Sequence, residues 1–172
     1  MKKSKIFIFL LLSFIVLSGA KKAVMFPEKT SSLEIKGYVF DDKDKKIENA
    51  FIKLYQSNKV VQMTTSKKGG KFQFILFSGL EYMVEVNLPG YITERIQIST
   101  KEKTEFNGKY LYEFRVDLMK EADFKGVDIS NLDFPTAIIK YDAEEGEYMH
   151  DEAYTKFVRG EMKKLKEQAK KK

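Results

Sequence analysis

An alternation of polar and apolar residues over positions 33–98 constrains the fold of this chain more than any other feature. It is plainest in the segments 33–39 and 50–54, where aliphatic side chains or glycine occupy every second position. A period of two residues is typical of β-strands that bury one face. Glycine, asparagine, aspartate and serine interrupt the alternation at short intervals, and these residues favour turns. The interruptions fall at 41–46, 57–58, 68–70, 78–79 and 89–90.

The alternation returns once more, after the polar segment 100–106. In the segment 112–118, aromatic and aliphatic residues alternate with charged ones, and Asn107-Gly108 just before them is typical of a type I′ hairpin turn. Strands at this spacing predict a mainly β fold, a seven-stranded antiparallel sandwich over residues 33–119. The predicted strands are 33–40, 50–56, 60–65, 71–77, 81–88, 91–99 and the one around 112–118.

Several short motifs follow one another in an order that resembles a known family. They are Gly37-x-Val39, Ile47-x-x-Ala50-x-Ile52-x-Leu54, Gly70-x-Phe72-x-Phe74, Tyr82-x-Val84-x-Val86 and Pro89-Gly90-Tyr91. This succession resembles the carboxypeptidase regulatory-like domain family, small transthyretin-like β-sandwiches common in bacterial envelope proteins. The resemblance covers roughly residues 33–100 and departs from the family at Lys45-Lys46, where a turn through glycine or proline is usual. It implies a non-catalytic accessory role, because the peptidase chemistry of the family name belongs to a separate domain.

The first twenty residues have the organisation of a secretory signal peptide. Lysines at positions 2, 3 and 5 precede the apolar run 6–17, and Ser18-Gly19-Ala20 offers small residues for cleavage. As a helix the run is about 18 Å long, shorter than a bilayer core of about 30 Å. We expect a signal peptide over 1–20, a tether over 21–32, and a mature chain without a transmembrane span that is periplasmic or envelope-associated.

Composition narrows the classes of function further. The chain has no cysteine, which excludes disulfides, thiolate catalysis and cysteine-ligated metals. Its net charge of +6 comes from the two ends, because residues 1–20 carry +3 and residues 151–172 carry +4, which leaves −1 on residues 21–150. Nucleic-acid recognition needs a basic patch on the folded body. We therefore expect no nucleic-acid partner.

Residues 120–150 predict a linker with one added short strand. The apolar run in 135–142 is continuous, which suits a strand buried on both faces. Residues 151–172 predict a basic amphipathic helix, with Asp151 as its N-cap and Glu152 in its first turn. Its apolar residues recur at helical spacing; they are Tyr154, Phe157, Val158, Met162, Leu165 and Ala169.

No constellation of residues predicts catalysis. His150 is the only histidine, so a hydrolase triad or a zinc site would depend on it, and an exposed residue beside the helix start is the simpler interpretation. Asp41, Asp42 and Asp44 lack the glycine and glutamate of a calcium-binding loop and predict a solvated turn. We expect no enzymatic activity, no bound metal and no cofactor.

Four aromatic residues occupy strand positions where the alternation should place polar groups. Tyr38 and Phe40 are on the first predicted strand, and Phe51 and Tyr55 are on the second, which the family's pairing would bring close together. Later parts of the chain could cover them, sugar rings could stack on them, or a protein partner could dock there. We favour the first alternative and predict that residues 135–142 add to the sandwich and bring part of the C-terminal segment near these four rings.

The helix presents a similar choice. Tyr154, Phe157, Val158 and Leu165 could pack on the chain's own domain, on a partner or on an anionic envelope surface. Since Gly160 weakens the helix by about 1 kcal/mol, we expect it to be the less firmly held part and the partner-binding arm. These features together predict an exported, non-catalytic interaction or assembly module of the bacterial cell envelope with a protein partner. The alternative is a carbohydrate-binding accessory module that holds a glycan on its exposed aromatic residues.

Overall fold

The computed structural model describes residues 32–101, 108–129, 132 and 134–171. The predicted signal peptide, nearly all of the predicted tether and Asn107 lie outside the described residues. Within them the fold is mainly β, with two mixed sheets and one C-terminal helix, which confirms the predicted class. None of the helices in these ranges is long and apolar enough to cross a bilayer.

Nine strands are present in the described ranges. In chain order they are β1 (Ser32–Phe40), β2 (Phe51–Gln56), β3 (Lys59–Thr65), β4 (Lys71–Phe77), β5 (Glu81–Asn87), β6 (Glu94–Ser99), β7 (Lys109–Asp117), β8 (Ala137–Asp142) and β9 (Glu147–His150). In the three-stranded sheet, β1 is central and pairs antiparallel with β4 and parallel with β7. The six-stranded sheet has the order β3, β2, β5, β6, β8, β9, in which the pair β6–β8 is parallel.

The inner faces of the two sheets enclose one hydrophobic core, to which strands of both sheets contribute. Burial follows the alternation predicted from the sequence. In β5, Val84 is fully buried and Glu85 lies on the outer face, while in β4 Phe74 is buried and Ile75 is exposed. The predicted facing of these residues is confirmed, because a sheet with one face on a core buries every second side chain.

One position in this core requires glycine. Gly37 lies opposite Phe72 in the register of β1 and β4, and the Phe72 ring occupies the space above the Gly37 Cα. A Cβ at position 37 would lie 2.0 Å from the Cζ of Phe72, so any other residue would displace the ring. The motifs Gly37-x-Val39 and Gly70-x-Phe72-x-Phe74, noted in the sequence, thus contact each other through Gly37 and Phe72.

The seven strands predicted over residues 33–119 correspond to β1–β7, but the prediction that all of them are antiparallel is wrong. Asn107-Gly108 predicts a hairpin with the preceding strand, yet β7 pairs parallel with β1 in the other sheet and not with β6. An Asn-Gly pair indicates only the local backbone geometry of a turn. A parallel partner strand is reached through a long connection, and a short sequence motif does not predict it. The predicted linker over residues 120–150 contains two strands, β8 and β9, and not one.

The C-terminal part widens the larger sheet and covers it. β8 extends this sheet beyond β6, but Lys140 is exposed, so the strand is buried on one face and not on both as predicted. The helix α1 (Glu152–Lys170) follows, and the Asp151 side chain accepts a hydrogen bond from the Tyr154 N–H at 3.0 Å, which confirms the predicted N-cap. A short 3₁₀ helix (Glu121–Phe124) lies against α1.

A second, smaller hydrophobic cluster joins these C-terminal elements to the strands. Its buried members are Ile92, Phe124 and Leu132, and Met162 and Leu165 of α1 pack against them. The three-stranded sheet is too narrow to cover all six strands of its partner, so α1 and the 3₁₀ helix cover much of the remainder. The helix is therefore part of the domain.

Candidate functional site

The four aromatic residues predicted to form one surface lie on two different sheets. Tyr38 and Phe40 belong to β1, whereas Phe51 and Tyr55 belong to β2. All four alternate with buried residues and so lie on outer faces, which places the two pairs on opposite sides of the molecule. The prediction that they adjoin is wrong, because residues 41–50 carry the chain from one sheet to the other.

Tyr38 and Phe40 are covered by charged side chains of their own sheet. The guanidinium carbon of Arg115 lies 4.0 Å from the centre of the Phe40 ring, and the Lys71 Nζ lies 5.9 Å from that of Tyr38. Both cations come from the strands that flank β1. Cation–π contacts therefore occupy these ring faces. Residues 135–142 do add a strand to the sandwich, beside β6, as predicted. The predicted cover of Tyr38 and Phe40 is wrong, because the side chains over these rings come from β4 and β7 and not from the C-terminal segment.

Phe51 belongs to an exposed apolar surface formed by β2 and β3. Phe51 is 58% exposed, Met63 is 72% exposed and Val60 is 44% exposed. The register places Met63 opposite Lys53 and Val60 opposite Tyr55, so these side chains share the outer face. We refer to Phe51, Tyr55, Val60 and Met63 as the β2–β3 patch.

The β2–β3 patch lies at the free edge of the larger sheet. In the described part of the chain, β3 pairs with β2 and has no strand on its other side. The sequence analysis did not single out Val60 and Met63 as surface residues. The available signal was the absence of charge and of clear alternation in β3 after Lys59.

An ion-paired network borders the patch and fixes one of its members. Glu85 Oε1 lies 3.1 Å from Lys53 Nζ and accepts a hydrogen bond from the Tyr55 hydroxyl at 3.3 Å, and Glu85 Oε2 lies 3.2 Å from Arg95 Nε. Burial raises the pKa of Glu85, but the hydrogen bonds and charges of Lys53, Arg95 and Tyr55 outweigh it, so the net pKa is lowered. The carboxylate is therefore ionised at neutral pH and holds the Tyr55 ring in place.

The predicted helical stripe packs mainly on the chain's own domain. Val158 is buried, Leu165 packs on the second cluster, and the Tyr154 hydroxyl donates a hydrogen bond to the Pro135 carbonyl at 2.7 Å. Phe157 stays 63% exposed. Of the alternatives for this stripe, packing on the chain's own domain is the one observed, and this packing does not favour the expectation that α1 is the partner-binding arm.

A cleft of about 700 Å³ opens between α1 and one end of the sandwich. We call it the helix cleft. Its apolar lining comes from both sheets and from α1, and includes Val116, Ile139 and Met162. Polar side chains line it as well, among them Glu94 of β6 and Arg159 of α1. The cleft arises where the narrow sheet ends and α1 takes over the covering of the wide one.

Glu94 places a carboxyl group on the core face of β6. It is 4% exposed and has the same parity as Ile96 and Ile98. Burial raises its pKa to about 7; a hydrogen bond with Thr136 acts in the opposite direction, and the charge of Asp117 adds to the rise. Sequence reasoning missed this residue although a signal existed, because Glu94 occupies an apolar position of a period-two pattern.

The other residues considered for chemistry have separate roles. Asp41 accepts hydrogen bonds from two backbone N–H groups of its own turn, each at 2.9 Å, and these bonds lower its pKa. Asp42 and Asp44 each lie beside a basic side chain. His150 is exposed at the end of β9, with its Nδ1 3.3 Å from the Tyr112 hydroxyl. Across the described ranges, no three acidic or histidine side chains are grouped to hold a metal ion.

Comparison with known proteins does not assign this chain to a family. No family model and no curated protein matches it. The Bacillus anthracis TIE protein is 22% identical over 52% of this chain and 17% of that chain, with a TM-score of 0.43. A catechol 1,2-dioxygenase from an Acinetobacter species is 11% identical over 64% of this chain and 59% of that chain, with a TM-score of 0.41.

A pilus 2b backbone protein of group B streptococcus is also similar in part. It is 14% identical over 51% of this chain and 40% of that chain, with a TM-score of 0.37. The chain spans less than two thirds of each of these three proteins. Since all three TM-scores are low, these likenesses assign neither a fold family nor a function.

Proposed function

We propose that this chain is an exported, non-catalytic interaction or assembly module of the bacterial cell envelope, and that it binds a protein partner through the β2–β3 patch. The observation that carries the proposal is the exposure of Phe51 and Met63 beside a free strand edge. Apolar side chains grouped on one face are costly to leave in water and mark interaction sites. The helix is not the docking element in this proposal, because its stripe is already packed.

The position of the patch favours a partner that presents an extended polypeptide segment. The free side of β3 offers backbone N–H and C=O groups to an added strand, and Val60 and Met63 offer apolar contacts next to it. Edge strands are commonly protected by charges, but Lys59 is the only charged residue in β3. The register shift between Leu54 and Tyr55 distorts β3 near Val61, so we expect pairing along residues 62–65.

The proposal includes membership in the transthyretin-like sandwiches of the carboxypeptidase regulatory-like family. The contact between Gly37 and Phe72 supports it, because it unites two motifs on which the resemblance rests. The single core between two sheets is compatible with the same architecture. Accessory modules of this kind act by binding, which agrees with docking through a sheet surface.

The carbohydrate-binding alternative has weaker support. A stacking platform needs open aromatic faces side by side, but the four candidate rings are split between two sheets. Charged groups lie over Tyr38 and Phe40. Phe51 and Tyr55 would have to serve alone, and apolar aliphatic neighbours at the patch suit a protein better than a sugar.

Replacing Phe51 by serine is expected to weaken partner binding by about tenfold or more, since burying a phenylalanine contributes about 1.5–3 kcal/mol. A photo-crosslinking residue at Met63 in intact cells should first yield one envelope protein, and the purified pair should then be titrated. Ile75→Ser is the matched control, because Ile75 is 54% exposed on the outer face of the other sheet. Equal weakening by both variants, or crosslinking at position 75 and not at 63, would refute the assigned surface.

Export is tested separately from docking. In a Gram-negative host, the full chain with a C-terminal tag should appear in the periplasmic fraction with its N-terminus at or near Lys21. The reason is the basic start, the short apolar run and the small residues before position 21. N-terminal sequencing of the fractionated protein is the measurement, and membrane-embedded material that retains Met1 would contradict export in soluble form.

A further inference from the structure

The helix cleft has the dimensions and composition of a small-molecule site. Its volume of about 700 Å³ falls within the range usual for ligand pockets, which are mainly apolar with a few polar groups. Ile96 and Ile139 line it from the wide sheet, Val116 from the narrow sheet, and Val158 from α1. These residues come from the protein core, so a ligand here would contact the sandwich interior.

Three cations of α1 line this cleft without an acidic partner among the described residues, and one of them, Lys166, lies over the Phe124 ring, 5.7 Å from its centre. Arg159 and Lys163 are four residues apart and therefore lie on the same side of the helix. Within the described residues, the side chains of Arg159 and Lys163 form no ion pair or hydrogen bond. Apart from Glu94, the acids that line the cleft have other partners. Asp117 accepts a hydrogen bond from Arg115, Asp42 pairs with Lys120, Glu113 pairs with Lys36, and Asp41 accepts hydrogen bonds from two backbone N–H groups of its own turn. A guanidinium beside an ammonium group is suited to a carboxylate or a phosphate.

The position of Glu94 bears on the orientation that a ligand would take in the cleft. Its carboxyl group is almost fully buried and also lines the cleft, and the charge of Asp117 acts on it. An anionic group placed there would lose its hydration among apolar residues, and the ionised form of Glu94 would also repel it. The negative end of a ligand is therefore directed to α1, and its apolar body to the core residues.

We propose that the helix cleft binds an amphipathic organic anion, a small molecule with an apolar body and a single carboxylate or phosphate group held by Arg159 and Lys163. This site is separate from the β2–β3 patch and goes beyond the protein-docking function. The cavity, the unpaired cations and the buried carboxyl group together define the orientation of the ligand. The size of the cavity alone would not define this orientation.

Calorimetric titration with decanoate and with decyl phosphate, both below micellar concentrations, tests the proposal on the protein as the cell produces it. At least one of the two should bind, and their ratio tells carboxylate from phosphate recognition. Decanol, which lacks the charge, and decanedioate, which would bring a second carboxylate to Glu94, should each bind at least about tenfold more weakly. Failure of both anions to bind, or equal binding of decanol or decanedioate, would overturn the proposal.

Variants locate the binding. Arg159→Gln and Lys163→Gln should each weaken binding about tenfold. Lys164→Gln is the matched control on the same helix, because Lys164 pairs with Glu161 at 2.7 Å and does not line the cleft. Phe51→Ser should leave the affinity unchanged. Full affinity in Arg159→Gln, or loss of binding in Phe51→Ser, would show that the amphiphile binds elsewhere and would refute the cleft.

Discussion

Phe74→Ala is expected to lower the free energy of unfolding by about 3–5 kcal/mol. Phe74 is 5% exposed in the core, and its ring centre lies 6.0 Å from that of Phe72, which itself fills the space above Gly37. Truncation of the Phe74 side chain would remove buried apolar surface. It would also leave a cavity between the two sheets, which the surrounding side chains could fill only in part. Chemical denaturation at constant temperature measures the loss.

The adjacent residue of the same strand supplies the control. Ile75 is 54% exposed on the outer face of β4, so Ile75→Ala should change the free energy of unfolding by no more than about 0.5 kcal/mol. The two positions share the same strand and nearly the same neighbours and β-propensity, and they differ mainly in the face of the sheet on which they lie. If the two variants lose similar stability, the assigned faces of β4 are incorrect.

Glu94→Gln is expected to stabilise the protein by about 3 kcal/mol at pH 8 and to leave its stability nearly unchanged at about pH 4. The carboxyl group has a pKa of about 7 in the folded protein, against an ordinary value of 4.5 in the unfolded chain. Between these values the folded state binds more protons than the unfolded state, so stability falls as the pH rises through this window. Glutamine stays neutral and removes this loss.

Denaturation curves of the protein and of Glu94→Gln across this pH range provide the measurement. The two free energies of unfolding should separate progressively above about pH 4.5 and stop diverging above about pH 7. A constant difference across the range would mean that the variant acts through packing. A variant less stable than the parent at pH 8 would mean that the ionised carboxylate is stabilising, contrary to its burial.

Local features of the fold could be predicted from the sequence because they depend on neighbours in the chain. The alternation identified the inward residues of β1, β4 and β5, and Asp151 was predicted as the helix cap from its position before an amphipathic segment. The same reasoning placed Glu85 on an outer face. It could not predict that Lys53 and Arg95 would meet this carboxylate, because they come from two different neighbouring strands.

The arrangement of strands could not be predicted in the same way. Tyr38 and Phe51 are close in the sequence, but the chain changes sheets between them, and nothing within residues 41–50 specifies this. The strand that pairs with β7 likewise depends on which sheet edge is still unpaired when β7 joins the folding domain, and the local sequence does not specify this. Glu94 differs from these cases. Its apolar position in the period-two pattern can be read from the sequence, but the residues that bury it cannot.

The parallel pairing of β1 with β7 also affects the order of folding. β1 can form its ladder with β4 early, but its other edge stays open until residues 109–117 are available, since Ser32 pairs with Lys109 and Phe40 with Asp117. Contacts between distant parts of a chain carry a large loop-closure entropy and slow folding. During that interval β1 has an unpaired edge to which another chain can add. Synthesis that stops before β7 would therefore leave an aggregation-prone fragment, so a strand formed late in the chain controls whether the first strand is enclosed.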